Sequence, residues 1–283
     1  MGGCAGRGPS HLLMTPQFHA FKTAERDGWS DRAAAYQDHT GLATLQIAPA
    51  LLDAVGARPG LRALETACGT ANIAAALAAL GCDTVGVDFS DGMIDVARAQ
   101  FPDLDLRVAD AQDLPLDDSH FDIAICNMGL FHMTKPDTAV AEAARVLRQG
   151  GRFAWSQWTA PADSVLYGTL FDILKSDADM SRADPAPDAY VLSDPDHATE
   201  MMQVAGFCDI HVRRLPTTLI ATGDDFFDFF MKFGVRVPLI VAAQDPDVQT
   251  ILRTRINAAM APWRTPAGWE VPMPSLVISG TVQ

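Results

Sequence analysis

Apolar and polar positions change period repeatedly along the middle of the chain, and the pattern predicts strands that alternate with helices. Short apolar stretches typical of buried strands precede longer segments whose apolar residues recur every three or four positions. The predicted strands lie at 62–66, 84–88, 106–109, 121–128 and 152–158. The predicted helices lie at 71–80, 91–100 and 136–148. This alternation is typical of a parallel sheet covered by helices on both faces.

Further elements are predicted on both sides of this alternating region. Before it, Ser30 caps a helix over 30–41, and a second helix over 43–56 ends at Gly56. After it, Asp194 caps a helix over 195–207, which a strand at 210–221 follows. The segment 224–263 reads as helical, and the chain closes with a strand at about 275–282.

Composition and charge narrow the class of function. The chain has 283 residues, of which 48% are apolar and 20% charged, and its net charge is −14. A nucleic acid would be repelled by this charge, so we expect a small-molecule partner and no nucleic acid. No apolar run is long enough to cross a membrane. The five cysteines have neither CxxC nor metal-like spacing, which favours buried free thiols in the cytoplasm and no metal site.

The segment LRALETACGTANIAAALAALGCDTVGVDFS at 61–90 carries the candidate chemistry. Gly69 has no Cβ and precedes a predicted helix, so a ligand can approach the main chain where helix amides favour negative groups. Asp88 ends the next predicted strand, where a carboxylate can accept both hydroxyls of a ribose. This arrangement indicates an adenosine-bearing cofactor, either a dinucleotide or S-adenosylmethionine.

Four ordered segments resemble a known family. ALETACGTAN, VGVDFSDGMIDVARA, VADAQDLPLDDSHFDIAICNMGLFHM and AVAEAARVLRQGGRFAWSQW are similar to successive motifs of class I S-adenosylmethionine-dependent methyltransferases. The similarity is strongest to the small-molecule branch that includes the ubiquinone and menaquinone biosynthesis C-methyltransferases. It implies a Rossmann-like α/β fold whose seven-stranded, mostly parallel sheet ends in an antiparallel strand. It also implies S-adenosyl-L-methionine as cofactor.

The resemblance also implies how the chain is divided. We expect a disordered tail at 1–14 and one methyltransferase domain at 15–283. Within that domain, 15–60 would form a helical lid, 61–160 the cofactor-binding core and 161–283 the substrate-side half. This half would contain a helical insertion at about 222–265. The oligomeric state stays open, a homodimer included.

By position in these motifs, the resemblance implies a set of cofactor-binding residues. They are Glu65, Ala67, Gly69, Thr70, Asp88, Phe89, Met93, Asp110, Ala111, Asn127 and Met128. The family usually has glycine where this chain has Ala67 and Ala71, and we expect Ala71 to lie nearer the cofactor. An alanine there adds a methyl group and disfavours positive φ.

Two residues are candidates for catalysis. His132 follows the fourth predicted strand and could act as a general base near neutral pH, or it could be a structural histidine. Tyr36 could close on the methionine end of the cofactor, or it could simply be packed. Phe226, Phe229, Phe230 and Phe233 have helical spacing, which suits a core, a wall of the acceptor pocket or a dimer surface.

The leading function is transfer of a methyl group from S-adenosylmethionine to carbon or oxygen of a small, apolar or aromatic acceptor. One alternative is a nicotinamide-dependent oxidoreductase, although the sequence Gly69-Thr70-Ala71 interrupts a GxGxxG pattern. Another is a protein that binds the cofactor on this scaffold without catalysing a reaction.

Overall fold

A seven-stranded sheet forms the centre of the computed structural model, which describes residues 18–283. The strands are β1 (Arg62–Thr66), β2 (Asp83–Asp88), β3 (Asp105–Val108), β4 (Phe121–Cys126), β5 (Leu147–Trp158), β6 (Phe207–Leu215), β7 (Thr218–Ala221), β8 (Arg264–Thr265), β9 (Gly268–Pro272) and β10 (Ser275–Val282). The order in the main sheet is β3-β2-β1-β4-β5-β10-β6. Only β10 runs antiparallel to its neighbours there, so the predicted α/β fold class is confirmed.

Helices cover both faces of this sheet. They are α1 (His19–Arg32), α2 (Thr40–Thr44), α3 (Ala48–Val55), α4 (Asn72–Ala79), α5 (Asp91–Gln100), α6 (Pro136–Val146), α7 (Val165–Asp177), α8 (Pro195–Val204), α9 (Phe226–Phe230), α10 (Arg236–Ala242) and α11 (Pro246–Met260). Successive residues of β5 point to opposite faces: Ala154 packs in a core cluster with α3 and α7, and Phe153 in a second cluster with α6 and α8.

The N-terminal helix differs from its prediction. Ser30 lies inside α1 and caps no helix; its hydroxyl bonds the hydroxyl of Ser90 at 2.8 Å. The helix starts earlier because Phe21, Glu25 and Trp29, spaced four apart, form one buried stripe. The charged residue in the middle concealed this stripe from a search for apolar periodicity. The tail predicted at 1–14 lies outside the described residues.

The junction after α6 also differs. The predicted helix at 136–148 ends at Val146, and β5 already begins at Leu147, five residues before the predicted strand at 152–158. The register of β5 against β4 shifts in this stretch. Gly150 has φ +74°, so the glycine allows a bulge that most residues would resist.

The segment predicted as one strand at 210–221 is two strands in two sheets. β6 belongs to the main sheet, whereas β7 pairs with β9 in a three-stranded sheet of order β7-β9-β8. Pro216 lies between β6 and β7 and has no N–H for a continuous ladder. This small sheet was not predicted. Along the chain, the helices α9–α11 lie between its strands β7 and β8.

From residue 18 onward, no helix combines the length and the apolar character that crossing a bilayer requires.

Candidate functional site

A cleft of about 940 Å³, its open mouth included, lies at the carboxyl ends of β1, β2 and β4. We call it the strand-end cavity. Its walls come from the loops after these strands, from α1 and from the segment around Phe233. Nine of the predicted cofactor-binding residues line it: Ala67, Gly69, Asp88, Phe89, Met93, Asp110, Ala111, Asn127 and Met128. Parallel sheets bind their ligands at this edge.

Asp88 is a buried carboxylate held rigidly at the end of β2. Its Oδ2 accepts the backbone N–H of Gly69 at 2.8 Å, and its Oδ1 accepts that of Ser90 at 2.9 Å. Burial raises the pKa of the Asp88 carboxyl, and the two amide donors oppose the rise. The hydrogen bond to Gly69 joins the two features that the sequence singled out.

The turn after β1 runs through the left-handed region, where alanine is strained. Ala67 has φ 51°, Gly69 φ 53° and Ala71 φ 63°. Ala67 lines the strand-end cavity, whereas Ala71 is fully buried against the cluster of Cys68 and Ile94 and does not line it. The expectation that Ala71 lies nearer the cofactor was therefore wrong. Ala67, four positions earlier in the chain, is the alanine that lines the cavity.

Two predicted residues lie behind this turn and do not line the cavity. Glu65 is 2% exposed, and its Oε2 accepts the backbone N–H of Ala74 in the first turn of α4 at 2.7 Å. Burial raises the pKa of Glu65 well above its usual range. Thr70 is fully buried, and its hydroxyl accepts a hydrogen bond from the Gln37 amide at 3.0 Å. In this structure both residues hold the turn in place.

The carboxylate of Asp110 is held from two sides at the far end of the strand-end cavity. Lys22 of α1 forms an ion pair with Oδ2, and Gln112 donates its backbone N–H to Oδ1 at 2.9 Å. Burial would raise the pKa of Asp110, but the hydrogen bonds from Lys22 and Gln112 outweigh it and lower the pKa. α1 thus contacts a residue that the resemblance assigns to the cofactor.

The loop after β4 is fixed by a serine of β5. Ser156 is buried, donates its hydroxyl to Asn127 Oδ1 at 2.7 Å, and accepts the backbone N–H of Met128 at 2.9 Å. Met128 has φ 55°, an unusual value for a residue with a side chain. The predicted strand at 121–128 ends at Cys126, so these two residues face the cavity from a constrained turn.

Tyr36 lies over the glycine turn. Its hydroxyl bonds Thr44 Oγ1 at 3.3 Å, and a Cβ built on Gly69 would be 3.9 Å from Tyr36 Cζ. Burial raises the pKa of Tyr36 to about 12, so the phenol stays protonated near neutral pH. Tyr36 is therefore placed to pack against a ligand and to donate a hydrogen bond, and it does not act as a neutral-pH base.

His132 is paired with a carboxylate that the sequence reasoning missed. Its Nδ1 lies 2.7 Å from Oε2 of Glu25, which is 1% exposed. The same oxygen accepts Trp29 Nε1–H at 3.2 Å, and the Trp29 ring meets the imidazole edge to face at 5.1 Å. The pair joins α1 to the loop after β4 across 107 positions of sequence. Only the four-residue spacing of the buried stripe on α1 could have indicated Glu25.

A second cavity of about 1080 Å³, which we call the aromatic cavity, adjoins the first. The two share Phe131, His132, Trp158, Tyr167, Phe233 and Gly234. The predicted phenylalanine stripe divides here: Phe230 and Phe233 line the aromatic cavity, whereas Phe226 and Phe229 pack into the core. His132 therefore lies where the two cavities meet.

Comparison with known proteins follows this geometry. A family model described as a methyltransferase domain matches residues 64–155. A demethylmenaquinone methyltransferase of Renibacterium salmoninarum is 32% identical over 181 residues, which cover 60% of this chain and 76% of that protein. A ubiquinone/menaquinone biosynthesis C-methyltransferase of Shewanella halifaxensis is 28% identical over 189 residues, or 60% and 75% of the two chains.

Solved structures agree on the fold. The YcgJ protein of Bacillus subtilis superposes with a TM-score of 0.60 at 18% identity, covering 84% of this chain and 98% of that one. A putative methyltransferase of Bacillus halodurans gives 0.55 at 18% identity, with coverages of 83% and 97%. Taken with the relatives, these observations identify the chain as a member of the class I S-adenosylmethionine-dependent methyltransferases, in the small-molecule branch that resembles the ubiquinone and menaquinone biosynthesis C-methyltransferases.

Proposed function

We propose that this enzyme methylates carbon or oxygen of a small aromatic acceptor. The acceptor's ring would be of the quinone type that appears in the names of the relatives. The observation that supports this most strongly is the aromatic cavity, which meets the strand-end cavity at His132. The strand-end cavity offers carboxylates and backbone groups, whereas the aromatic cavity is lined by aromatic side chains. A polar cofactor and an apolar acceptor would each occupy the cavity that suits its chemistry.

The strand-end cavity suits an adenosyl group. Asp88 offers a carboxylate prearranged to accept the ribose hydroxyls, since two amides fix its orientation. Gly69 leaves room between the main chain and Tyr36, where the amino-acid part of the ligand would lie. We assign Asp110 and Ala111 to the edge of the adenine ring, and Phe89 and Met93 to its faces.

Asn127 and Met128 would lie beside the sulfur, on the side where the two cavities meet. When bound, S-adenosylmethionine supplies a methyl group on a sulfonium, and the electron pair of the broken sulfur–carbon bond stays with the sulfur. The chain then has to orient the acceptor, exclude water and take any proton that the acceptor loses. Orientation alone can supply about 7–11 kcal/mol of the barrier reduction.

His132 is our candidate for the base. An acceptor hydroxyl or ring C–H that forms a bond to the methyl carbon must release a proton, and the imidazole can accept it. Glu25 holds Nδ1, which leaves Nε2 as the nitrogen that receives the proton, and its negative charge would stabilise the imidazolium. Both residues line the aromatic cavity. A carboxylate that orients a histidine in this way is a positioning residue.

The proposed function and the base are tested together. The enzyme with S-adenosylmethionine and a panel of hydroquinones and phenols should give methylated product, detected by mass spectrometry. His132→Ala should slow turnover by about 10²–10⁴-fold at near-normal cofactor affinity. His120→Ala is the matched control, because His120 is exposed and lies just before β4, whereas His132 follows that strand. His120 bonds Arg62 at the start of β1. Undiminished turnover of His132→Ala would return His132 to a structural role.

A further inference from the structure

The aromatic cavity contains a buried polar atom that the fold does not satisfy. Gln157, the penultimate residue of β5, lines this cavity and is 1% exposed. Its Nε2 donates to the carbonyl oxygen of Ala189 at 2.9 Å. Its Oε1 receives no hydrogen bond from any residue of the described range 18–283. A buried carbonyl oxygen without a donor is costly, and such groups in a cavity wall point to a ligand.

The orientation of this amide is fixed by its neighbours. The carbonyl of Ala189 only accepts hydrogen bonds, so turning the amide over would set two oxygens against each other. Gln157 also pairs in register with Leu276 in the interior of the sheet, which holds the backbone below it. The unpaired oxygen therefore belongs to a side chain that lines the cavity and whose orientation the fold fixes.

The surrounding walls indicate what kind of ligand would supply the donor. The rings of Trp158 and Tyr167 lie 6.4 Å apart, those of Tyr167 and Tyr190 6.0 Å, and those of Phe171 and Tyr190 5.6 Å. Aromatic walls of this kind pack well against a planar ring. A bare hydrocarbon ring would leave the amide oxygen unpaired, whereas a ring hydroxyl would satisfy it.

We propose that Gln157 determines acceptor specificity by accepting a hydrogen bond from a ring hydroxyl of the acceptor through Oε1. This rests on the proposed function, because it places the acceptor in the aromatic cavity. It goes further in naming the recognised group and the atom that recognises it. Acceptors with a free hydroxyl at that position bind well, and analogues in which a methyl group replaces the hydroxyl bind poorly.

Equilibrium binding to the wild-type enzyme saturated with S-adenosylhomocysteine tests this without a mutation. Calorimetry compares naphthol with methylnaphthalene, which has the same ring and a group of similar size but no donor. We expect naphthol to bind at least about tenfold more tightly, since the unpaired oxygen penalises the analogue. Equal affinities would overturn the proposal, because the desolvated hydroxyl would then have no partner.

A variant assigns the preference to Gln157. Gln157→Met keeps the length of the side chain, and we expect the two ligands to bind within about twofold of each other. A general structural defect would instead lower both affinities and keep their ratio. Gln203→Met, an exposed glutamine on α8, is the matched control and should keep the wild-type ratio. A Gln157→Met enzyme that still prefers naphthol would refute the role of Gln157.

Failure of this proposal and failure of the proposed function give different results. Binding preference without any methyl transfer across the hydroquinone and phenol panel would leave Gln157 as a hydroxyl-binding residue and remove the proposed reaction. Methyl transfer to acceptors with and without the hydroxyl at equal kcat/KM would keep the reaction and overturn the role of Gln157.

Discussion

At the scale of single residues, the turn after β1 combines backbone strain with a contact to the buried carboxylate that ends β2. Ala67 and Ala71 adopt left-handed backbone angles that L-residues disfavour. The carboxylate of Asp88, at the end of the next strand, is buried. The backbone N–H of Gly69 joins these features, because it donates to Asp88. The atoms that hold this turn are thus the same ones to which we assign cofactor binding.

Replacing Ala67 by glycine should stabilise the apo protein. Glycine adopts a φ near 51° without the clash of a Cβ, and Ala67 is a small, partly buried residue at the edge of a core cluster, where it lines the cavity. We expect the free energy of unfolding, measured by urea denaturation, to rise by about 1 kcal/mol. Relief of about 1–2 kcal/mol of left-handed strain exceeds the roughly 0.4–1 kcal/mol that the extra freedom of glycine contributes to the unfolded state. Ala75→Gly in the middle of α4 should lower it by about 1 kcal/mol. A decrease for both variants would contradict the strain argument.

Replacing Asp88 by alanine should weaken the cofactor site. The change removes charge-assisted hydrogen bonds to the ribose and leaves the amides of Gly69 and Ser90 without their acceptor. We expect S-adenosylhomocysteine to bind about 2–4 kcal/mol more weakly by calorimetry. Asp83→Ala, at the exposed start of the same strand, should leave the affinity unchanged. Unaltered affinity of Asp88→Ala would remove the ribose assignment.

The sequence could predict contacts between residues that lie at the carboxyl ends of neighbouring strands. Asp88 and Gly69 follow neighbouring strands, so their proximity follows from the alternating pattern alone. Glu25 and Gln157 escaped prediction for a different reason. Their importance depends on contacts with His132 and Ala189, made across long stretches of chain, which periodicity does not report. The roles that the resemblance gave to Glu65 and Thr70 stay predictions.

At the scale of elements, the position of helix α1 depends on two close approaches between neighbouring segments. A Cβ on Gly92 of α5 would lie 2.9 Å from Ser30 Cα, and a Cβ on Gly28 of α1 would lie 2.7 Å from Val235 Cγ1. The helix is thus clamped between α5 and the segment before α10. This position brings Lys22 to Asp110 and Glu25 to His132.

Gly92→Ala should displace α1. The new methyl group would meet backbone atoms of Ser30, which cannot move without the helix. We expect faster proteolysis within 18–35 and weaker binding of S-adenosylhomocysteine, by limited digestion and calorimetry. Helix propensity alone would favour alanine over glycine, so a more stable, equally resistant variant would show that the contact is unimportant. Asp95→Ala, exposed on the same helix, is the control.

Elements of the alternating region were predicted well, and the strands β8 and β9 were not. The helix over 91–100 has the bounds of α5, with Ser90 accepting the N–H of Met93 as its cap. The strands β8 and β9 have two and five residues. β8 falls at the end of the helical insertion predicted at about 222–265, and no element was predicted where β9 lies. β9 pairs with β8 on one side and with β7 on the other, and the pairing of β9 with β7 is a tertiary contact.

At the scale of the whole molecule, we propose that the chain divides as the resemblance implied. Residues 15–60 would form the lid, 61–160 the cofactor core and 161–283 the substrate-side half, and the described part begins at residue 18. The aromatic cavity lies between lid, core and insertion, with walls from all three. Net charge −14 suits an uncharged ring better than a polyanion.

The stabilisation that a bound ligand gives to the folded protein distinguishes an S-adenosylmethionine site from the alternative nicotinamide site. S-adenosylhomocysteine at a hundredfold excess over its dissociation constant should raise the free energy of unfolding by about 2.7 kcal/mol. NAD at the same concentration should give no increase, since the turn lacks the second glycine of a dinucleotide motif. Parallel thermal and urea unfolding measures both ligands on one preparation. Stabilisation by NAD alone would contradict the cofactor assignment.

The position of the aromatic cavity has a consequence for how substrate preference evolves. The family model matches 64–155, whereas Trp158, Tyr167, Tyr190, Phe230 and Phe233 all lie beyond it. Selection that preserves the shared segment keeps the methyl donor and does not constrain those rings. Paralogues can therefore diverge in the acceptor that they methylate through substitutions in the second half of the chain, while all of them keep the same methyl donor.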